Sequence, residues 1–156
     1  MQLILVRHGH AGHKVEWQRP DKLRPLSARG ARQAARLVEV VVPLKPTRII
    51  SSPQVRCLQT ATPLATATGL NVEQSSTLVP NALTKALQLV RRLAAPKAKS
   101  GVVIVTHGEI IGELLSKMAK EDGIKLEHRP PGLKGCVWVL EFRTGKLVAA
   151  RYVSPT

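Results

Sequence analysis

Short apolar runs alternate along the chain with stretches in which apolar residues recur every three or four positions. Residues 3–6 (LILV) and 101–106 (GVVIVT) carry almost no polar side chains, as is typical of strands buried on both faces of a parallel sheet. A shorter run, residues 47–51 (TRIIS), predicts another strand between them. The pattern therefore indicates a chain that alternates between strands and helices.

The helical spacing predicts four helices, each following one of these runs or a connecting loop. They cover the apolar positions within residues 31–41, 55–65, 83–94 and 110–118. Ser27 is a suitable N-cap for the first helix. Ser52 followed by Pro53 predicts the start of the second helix, and Gly69 predicts its end.

The last third of the chain has a different pattern of apolar and polar residues from the rest. A proline-rich loop over residues 123–135 precedes two runs, 136–142 and 147–153, that predict an antiparallel hairpin around Thr144 and Gly145. Alternating strands and helices followed by a hairpin predict an α/β fold. We expect a three-layer sandwich with helices on both faces of a mainly parallel sheet that has an antiparallel edge. At 156 residues, the chain is expected to form a single domain over residues 1–156.

Composition narrows the function classes. The chain has 24 Lys and Arg against 10 Asp and Glu, a formal charge of +14, so its surface favours anions. Aromatic residues make up only 3% and no recognised nucleic-acid motif is present, so nucleic acid is not an expected partner. The apolar run 3–6 is too short for a signal peptide, and no run is long enough for a membrane span. We therefore expect a cytoplasmic protein without a membrane partner.

Candidate chemistry lies just beyond the ends of the three predicted parallel strands. The residues at these positions are Arg7, His8 and Gly9 after the first strand, Arg56 one turn into the helix after the second, and His107 and Gly108 after the third. Functional sites of such sheets lie beyond the carboxyl ends of the strands. Arginines match phosphoryl oxygens, a positioned imidazole is a nucleophile, and the two glycines leave room for an anion. The sequence therefore predicts a pocket for a phosphoryl group.

Three blocks in this order resemble the histidine phosphatase superfamily, also called phosphoglycerate-mutase-like. They are Arg-His-Gly at residues 7–9, Ser-Ser-Pro-x-x-Arg-x-x-Gln-Thr-Ala at 51–61, and Thr-His-Gly at 106–108. The resemblance implies a metal-independent phosphatase without a cofactor, in which His8 becomes phosphorylated. It also implies that Arg7, Arg56 and His107 hold the phosphoryl oxygens, with Gly9 and Gly108 alongside.

Two further segments point to narrower groups. Residues 24–30 (RPLSARG) are similar to small bacterial phosphohistidine phosphatases of the SixA type, which implies phosphohistidine on a protein as the leading substrate. Residues 134–140 (KGCVWVL) resemble the phosphatase domain fused to MutT-type Nudix hydrolases, although this chain has no Nudix box. That second resemblance implies a nucleoside di- or polyphosphate as the alternative. A third hypothesis is a module that binds phosphate ligands without turnover.

Many members of the superfamily carry a carboxylate that protonates the leaving group, and here the corresponding stretch, residues 78–82, has Asn81 instead. An alkoxide leaving group needs such a donor, because the pKa of its conjugate acid is close to the ~15.7 of water. Imidazole, with a pKa of ~6.5, and phosphate, with a second pKa of ~6, need it much less. We therefore expect a labile P–N bond or a phosphoanhydride as substrate. His10 and Glu109 are candidate substitute donors.

Other chemically active side chains receive less specific interpretations. His8, His10 and His13 have spacing like that of a metallo-β-lactamase cluster, but Gly12 replaces its aspartate, so no metal is expected. Cys57 lies in a helical run and is expected to be a buried, inert thiol. Four basic residues are expected near the mouth of the site, either steering a charged ligand or simply forming a solvated surface; they are Arg19, Lys22, Arg24 and Arg29.

Overall fold

The structure is a computed structural model that describes residues 1–155. One six-stranded sheet forms its centre, with strands β1 (Gln2–Arg7), β2 (Arg48–Ser51), β3 (Val72–Gln74), β4 (Val102–Thr106), β5 (Val137–Arg143) and β6 (Lys146–Val153). The strand order is β3-β2-β4-β1-β5-β6. The pairs among β1 to β4 are parallel, whereas β5 is antiparallel to both β1 and β6. The predicted fold class, including its antiparallel edge, is confirmed.

Four helices cover the two faces of the sheet: α1 (Ala28–Val41), α2 (Val55–Thr68), α3 (Leu83–Leu93) and α4 (Gly108–Asp122). Because side chains alternate along a strand, Leu3 and Leu5 of β1 enter the core beneath α3 and α4. Ile4 and Val6 enter the core beneath α1 and α2. Burial on both faces accounts for the uninterrupted apolar run in this strand. Within residues 1–155, no helix has the length and apolar character that crossing a bilayer requires.

Most predicted boundaries agree with the structure, and the exceptions have local causes. Ser27 caps α1 as expected, since its Oγ accepts a hydrogen bond from the Gly30 amide at 3.1 Å. Gly69 ends α2 in the left-handed conformation, with φ of 74°. The predicted cap at Ser52 is wrong, because α2 begins at Val55 with Gln54 as its N-cap. Strand β3 is not predicted by the sequence pattern; only three residues long and mostly exposed, it has no continuous apolar run to reveal it.

Candidate active site

The sheet brings the predicted residues together through its register. Arg7, the last residue of β1, pairs with Thr106, the last residue of β4. His8 and His107 therefore leave the sheet at the same level, and the His8 amide continues the ladder by donating to the Thr106 carbonyl at 3.1 Å. The next strand in the sheet, β2, ends beside them, where the Ser52 amide donates to the Val105 carbonyl at 2.9 Å.

The two imidazoles face each other at the bottom of the site. Their ring centroids are 5.4 Å apart and their planes meet at 67°. Both rings are nearly enclosed, with His8 7% and His107 1% exposed. At this separation and angle the two rings pack edge to face, in van der Waals contact and without a hydrogen bond between them.

The ring of His8 is fixed by its own loop. Its Nδ1 lies 2.7 Å from the Gly9 carbonyl oxygen, an acceptor, so Nδ1 carries the proton and Nε2 keeps its lone pair. Burial lowers the pKa of His8 to about 4, and the Arg56 and Arg7 charges act in the same direction. At neutral pH the side chain is therefore an uncharged imidazole with a free nitrogen, which is the form that a nucleophile requires.

The His107 ring is held by residues that follow β2. Its Nε2 lies 2.9 Å from the Ser52 hydroxyl, and the Cys57 sulfur is 3.6 Å from the same nitrogen. Burial and the neighbouring His8 lower the pKa of His107 to about 3. Ser52, which sequence patterns assign to a helix cap, thus positions an imidazole instead. The expected inert thiol agrees with the structure, since burial raises the pKa of Cys57 to about 12.

Arg7 lies across the start of α4. Its Nη1 donates to the Gly132 carbonyl, and its Nε is buried with no partner among the described residues. A β-carbon on Gly108 would come within 2.7 Å of the Arg7 Cζ atom, so the guanidinium occupies its position only because residue 108 is glycine. Gly108 is also the first residue of α4, and a helix N-terminus contributes amide N–H groups and a favourable dipole for anions.

Arg56 reaches the site from the first turn of α2 and is 4% exposed. Its Nη1 donates to the Asp21 carbonyl at 3.0 Å and its Nη2 to the Asp21 carboxylate at 3.1 Å. The same carboxylate accepts a hydrogen bond from the Arg24 Nε at 3.0 Å. The Arg56 Nε, like that of Arg7, is buried and unpartnered among the described residues. Each of the two arginines therefore keeps one buried N–H donor without a partner among the described residues.

Gly9 provides space rather than a donor. Its amide already donates to the Thr60 hydroxyl at 3.1 Å, and a β-carbon there would lie 2.8 Å from the Gly30 carbonyl oxygen. A β-carbon on Gly30 would in turn overlap the His10 carbonyl oxygen. The missing side chains at these two glycines allow α1 to lie directly against the loop that carries His8.

The two candidate proton donors occupy different surroundings. The His10 Nδ1 lies 2.7 Å from the Ser27 hydroxyl, and burial together with the Lys134 and Arg29 charges lowers its pKa. Glu109 is exposed in the first turn of α4. Asn81, which stands where many superfamily members carry an acid, is exposed in the left-handed conformation with φ of 73°. Within residues 1–155, no three His, Cys, Asp or Glu side chains converge as a metal-binding group would.

Comparisons with known proteins identify the family of the chain. A family model described as histidine phosphatase superfamily (branch 1) matches residues 3–80, half of the chain. An 8-oxo-(d)GTP phosphatase of Mycolicibacterium smegmatis is 32% identical over 155 residues, which is 98% of this chain and 48% of that protein. The chain belongs to the histidine phosphatase superfamily. It spans about half the length of the curated relative that it matches.

Solved structures show that the histidine phosphatase fold extends over nearly all of the chain. The protein histidine phosphatase SixA, complexed with tungstate, has a TM-score of 0.81 at 20% identity, covering 99% of this chain and 97% of that one. Bacillus stearothermophilus YhfR has a TM-score of 0.77 at 20% identity over 94% of both chains. A mycobacterial glucosyl-3-phosphoglycerate phosphatase has a TM-score of 0.74 at 19% identity over 97% of this chain and 96% of that one. The prediction of a hydrolase of this superfamily is confirmed.

Sequence patterns do not single out Asp21 or Ser52 as site residues of this histidine phosphatase, although each directly contacts one. Asp21 lies in a short 3-10 turn, Asp21–Leu23, that no apolar periodicity marks. Arg24, expected at the mouth, is instead 8% exposed and donates through Nη1 to the Ala11 carbonyl at 2.7 Å. The spacing Asp-x-x-Arg, which allows an i, i+3 ion pair, is the signal that would have drawn attention to this pair.

Proposed function

We propose that this histidine phosphatase hydrolyses its substrate in two steps, with His8 as the nucleophile. The observation that carries the proposal is a pair of neutral imidazoles 5.4 Å apart under the positive charges of the buried Arg56 and the half-buried Arg7. The Nε atoms of both arginines are buried and have no partner among the described residues. Such a group of donors matches a tetrahedral anion, and phosphoryl transfer depends chiefly on positioning and charge neutralisation.

In the first step, the Nε2 lone pair of His8 attacks phosphorus. The bond from phosphorus to the leaving group breaks, and the leaving atom takes the bonding electrons. Arg7, Arg56, His107 and the α4 N-terminus hold the phosphoryl oxygens. In the second step, water attacks the phosphorus of the phosphohistidine, loses a proton to solvent, and releases inorganic phosphate together with neutral His8.

The leaving group in this proposal departs without a dedicated carboxylic acid. Asn81 cannot supply a proton as an acid, Glu109 is exposed, and the lowered pKa of His10 keeps that ring uncharged at neutral pH. Leaving groups that are stable as anions or weak bases suit such a site. We therefore propose substrates with a P–N bond or a phosphoanhydride bond, and not sugar phosphates.

Within that class, we place a nucleoside di- or polyphosphate first and a protein phosphohistidine second. The relative that covers 98% of this chain at 32% identity is named an 8-oxo-(d)GTP phosphatase. The likeness to SixA, at 20% identity, is a likeness of fold. This order reverses the one expected from residues 24–30.

Trapping the intermediate tests the proposed mechanism. The protein is mixed with a ³²P-labelled phosphoryl donor, quenched in alkali and digested, and the label is located by mass spectrometry. We expect one acid-labile, alkali-stable phosphoryl group on His8, absent from His8→Ala and retained in the exposed-site control His128→Ala. Binding of tungstate without any adduct or phosphate release would instead identify a non-catalytic phosphate-binding module.

A further inference from the structure

A basic groove lies beside the catalytic imidazoles. It has a volume of about 500 Å³, and its defining residues are Arg7, Arg29, Arg32, Gln33, Arg36 and Lys134. Arg7, which lies next to His8 in the chain, and His10 of the same loop line this groove, so it lies beside the proposed phosphoryl site. The volume lies within the range of small-molecule sites, roughly 300–1,000 Å³.

One face of α1 forms the wall of the groove. Arg29, Arg32 and Arg36 are separated by three and four residues, which places their side chains on the same side of a helix. They span eight residues, a rise of about 10 Å along the helix axis. Gln33, on the same face, accepts a hydrogen bond from the His10 amide at 2.8 Å and so ties this face to the catalytic loop.

Lys134 forms the opposite wall. The neighbouring Gly135 amide donates to the His8 carbonyl at 3.0 Å and to the Arg7 carbonyl at 3.1 Å, so the loop that carries Lys134 is attached directly to the catalytic strand. Burial lowers the pKa of Lys134, as do the Arg7 and Arg24 charges. The groove thus brings cations close together from two separate elements.

Within the part of the chain that the structure describes, the groove cations have no acidic partner. Among residues 1–155, no acidic side chain forms an ion pair with Arg29, Arg32, Arg36 or Lys134. Arg36 even has a buried Nη1 atom with no hydrogen-bond partner there. By contrast, Arg48 and Arg91, which lie elsewhere on the molecule, are paired with carboxylates. Like charges held together without partners favour an anionic ligand.

We propose that this groove binds the phosphate of the leaving group, and that the substrate is a nucleoside diphosphate. This inference rests on the proposed function, because it places the terminal phosphoryl group against His8. Attack by the His8 Nε2 breaks the bond between the terminal phosphorus and the bridging oxygen. That oxygen keeps the electron pair and departs as part of a nucleoside monophosphate, whose additional negative charge the groove cations neutralise.

The same groove is poorly matched to a protein phosphohistidine. The leaving imidazole of that substrate carries no negative charge, so cations beside it would stabilise nothing in the departing group. An acidic protein surface would have to enter a groove formed by one helical face and one loop. The nucleotide also uses the exposed Leu133 side chain, which lines the groove and offers an apolar surface to a base.

Measuring ligand binding to an inactive variant tests the groove separately from turnover. In a His8→Ala background, titration calorimetry measures Kd for GDP and for inorganic phosphate. The groove variant Arg29→Gln/Arg32→Gln/Arg36→Gln is compared with Arg92→Gln/Lys117→Gln/Lys120→Gln, which removes the same charge at exposed positions of α3 and α4. We expect the groove variant to raise Kd for GDP at least about tenfold, or about 1.4 kcal/mol. Its Kd for inorganic phosphate, and both Kd values of the control variant, should change less than about twofold.

Each result bears on the proposal. Equal weakening of GDP in both triple variants, or unchanged GDP affinity in the groove variant, would overturn it. Arg32→Gln alone, at an exposed position, repeats the comparison should the triple variant unfold.

In the His8-containing protein, the groove variant should raise KM for GDP and leave KM for N-phosphoimidazole unchanged. Turnover of a phosphohistidine protein but not of GDP would overturn the groove assignment while leaving the role of His8 intact. Loss of the His8 adduct alone would overturn the proposed mechanism but not the groove.

Discussion

The Asp21 carboxylate accepts a hydrogen bond from the Arg56 guanidinium at 3.1 Å, inside the group of residues proposed to bind a phosphoryl anion. Arg24 holds the other oxygen of the same carboxylate at 3.0 Å. Partial burial acts to raise the pKa of Asp21, but the hydrogen bond from Arg24 and the charge of Arg56 outweigh it and lower the pKa. An internal anion therefore competes with any external anion for Arg56.

Replacing Asp21 with asparagine should tighten phosphate binding. The amide oxygen can still accept from Arg56, with the amide nitrogen then facing Arg24, whereas the negative charge that competes with phosphate is gone. Because the Asp21 side chain is 32% exposed and solvent screens the pair, we expect a gain of about threefold, below 1 kcal/mol. Competitive inhibition by inorganic phosphate measures it. Glu16→Gln, an exposed acid in the same segment, controls for net charge, and weaker phosphate binding in Asp21→Asn would show that the carboxylate aligns Arg56 instead.

Gly108→Ala should separate activity from stability. The added methyl group would meet the flexible end of Arg7 at 2.7 Å, so the chain can relax by moving the guanidinium at little cost in folding. Alanine gains up to about 1 kcal/mol of helix propensity over glycine. We expect unchanged or higher stability in urea and a loss of at least about tenfold in kcat/KM, since a displaced guanidinium no longer meets the phosphoryl oxygens.

The matched control for that experiment lies one turn further along α4. A β-carbon on Gly112 would make an ordinary contact, 3.5 Å from the Pro131 ring. Gly112→Ala should therefore gain stability without losing activity. Equal kcat/KM in the two variants would remove Arg7 from the proposed phosphoryl site.

Gly30→Ala should have the opposite effect on stability. Its methyl group would overlap the His10 carbonyl oxygen, which belongs to backbone and cannot swing aside. Overpacking of this kind costs about 1–3 kcal/mol, which exceeds the gain in helix propensity. Urea unfolding should show net destabilisation, and tungstate affinity should fall because α1 presses on the loop that carries His8. A variant as stable as the parent would show that α1 can retreat from this loop.

Stability should decline as the solution is acidified below pH 6.5. Burial lowers the pKa of His8 to about 4 and that of His107 to about 3, whereas an unfolded histidine titrates near 6.5. Between these values the unfolded chain binds protons that the folded chain does not. The free energy of unfolding then falls by up to about 1.4 kcal/mol per pH unit for each group, with His10 acting in the same direction.

Urea unfolding at intervals between pH 7.5 and 4.5 measures this decline. Above pH 7 both imidazoles are uncharged in the folded and in the unfolded chain. They therefore add no pH dependence to the free energy of unfolding there. His8→Gln should have a shallower slope than the parent. A parental slope in His8→Gln would mean that the His8 ring is protonated as readily when folded as when unfolded.

Much of the fold can be predicted from local patterns because burial on both faces leaves strong signals. The runs at residues 3–6 and 101–106 form β1 and β4, and Ser27 caps α1 as its position predicts. Strand β3 is missed because an edge strand of three residues needs few apolar side chains. Its pairing with β2 depends on contacts that local sequence does not encode.

The candidate site likewise contains residues that the sequence predicts and residues that it misses. Strand order predicts that His8 and His107 meet, because parallel strands bring the residues at their carboxyl ends to one edge of the sheet. The Asp21 carboxylate and the Ser52 hydroxyl are missed because their roles arise from partners 35 and 55 residues away. A serine before a proline looks locally like a helix cap, and only the tertiary structure shows that its hydroxyl lies at an imidazole.

The pairing of Arg7 with Thr106 has a wider consequence. A slip of β1 by a single residue against β4 would turn His8 to the opposite side of the sheet from His107, while the apolar runs could still pair. Turnover therefore reports on strand alignment to within one residue, and a refolded sample with full secondary structure but no phosphatase activity would reveal a misaligned sheet that circular dichroism overlooks.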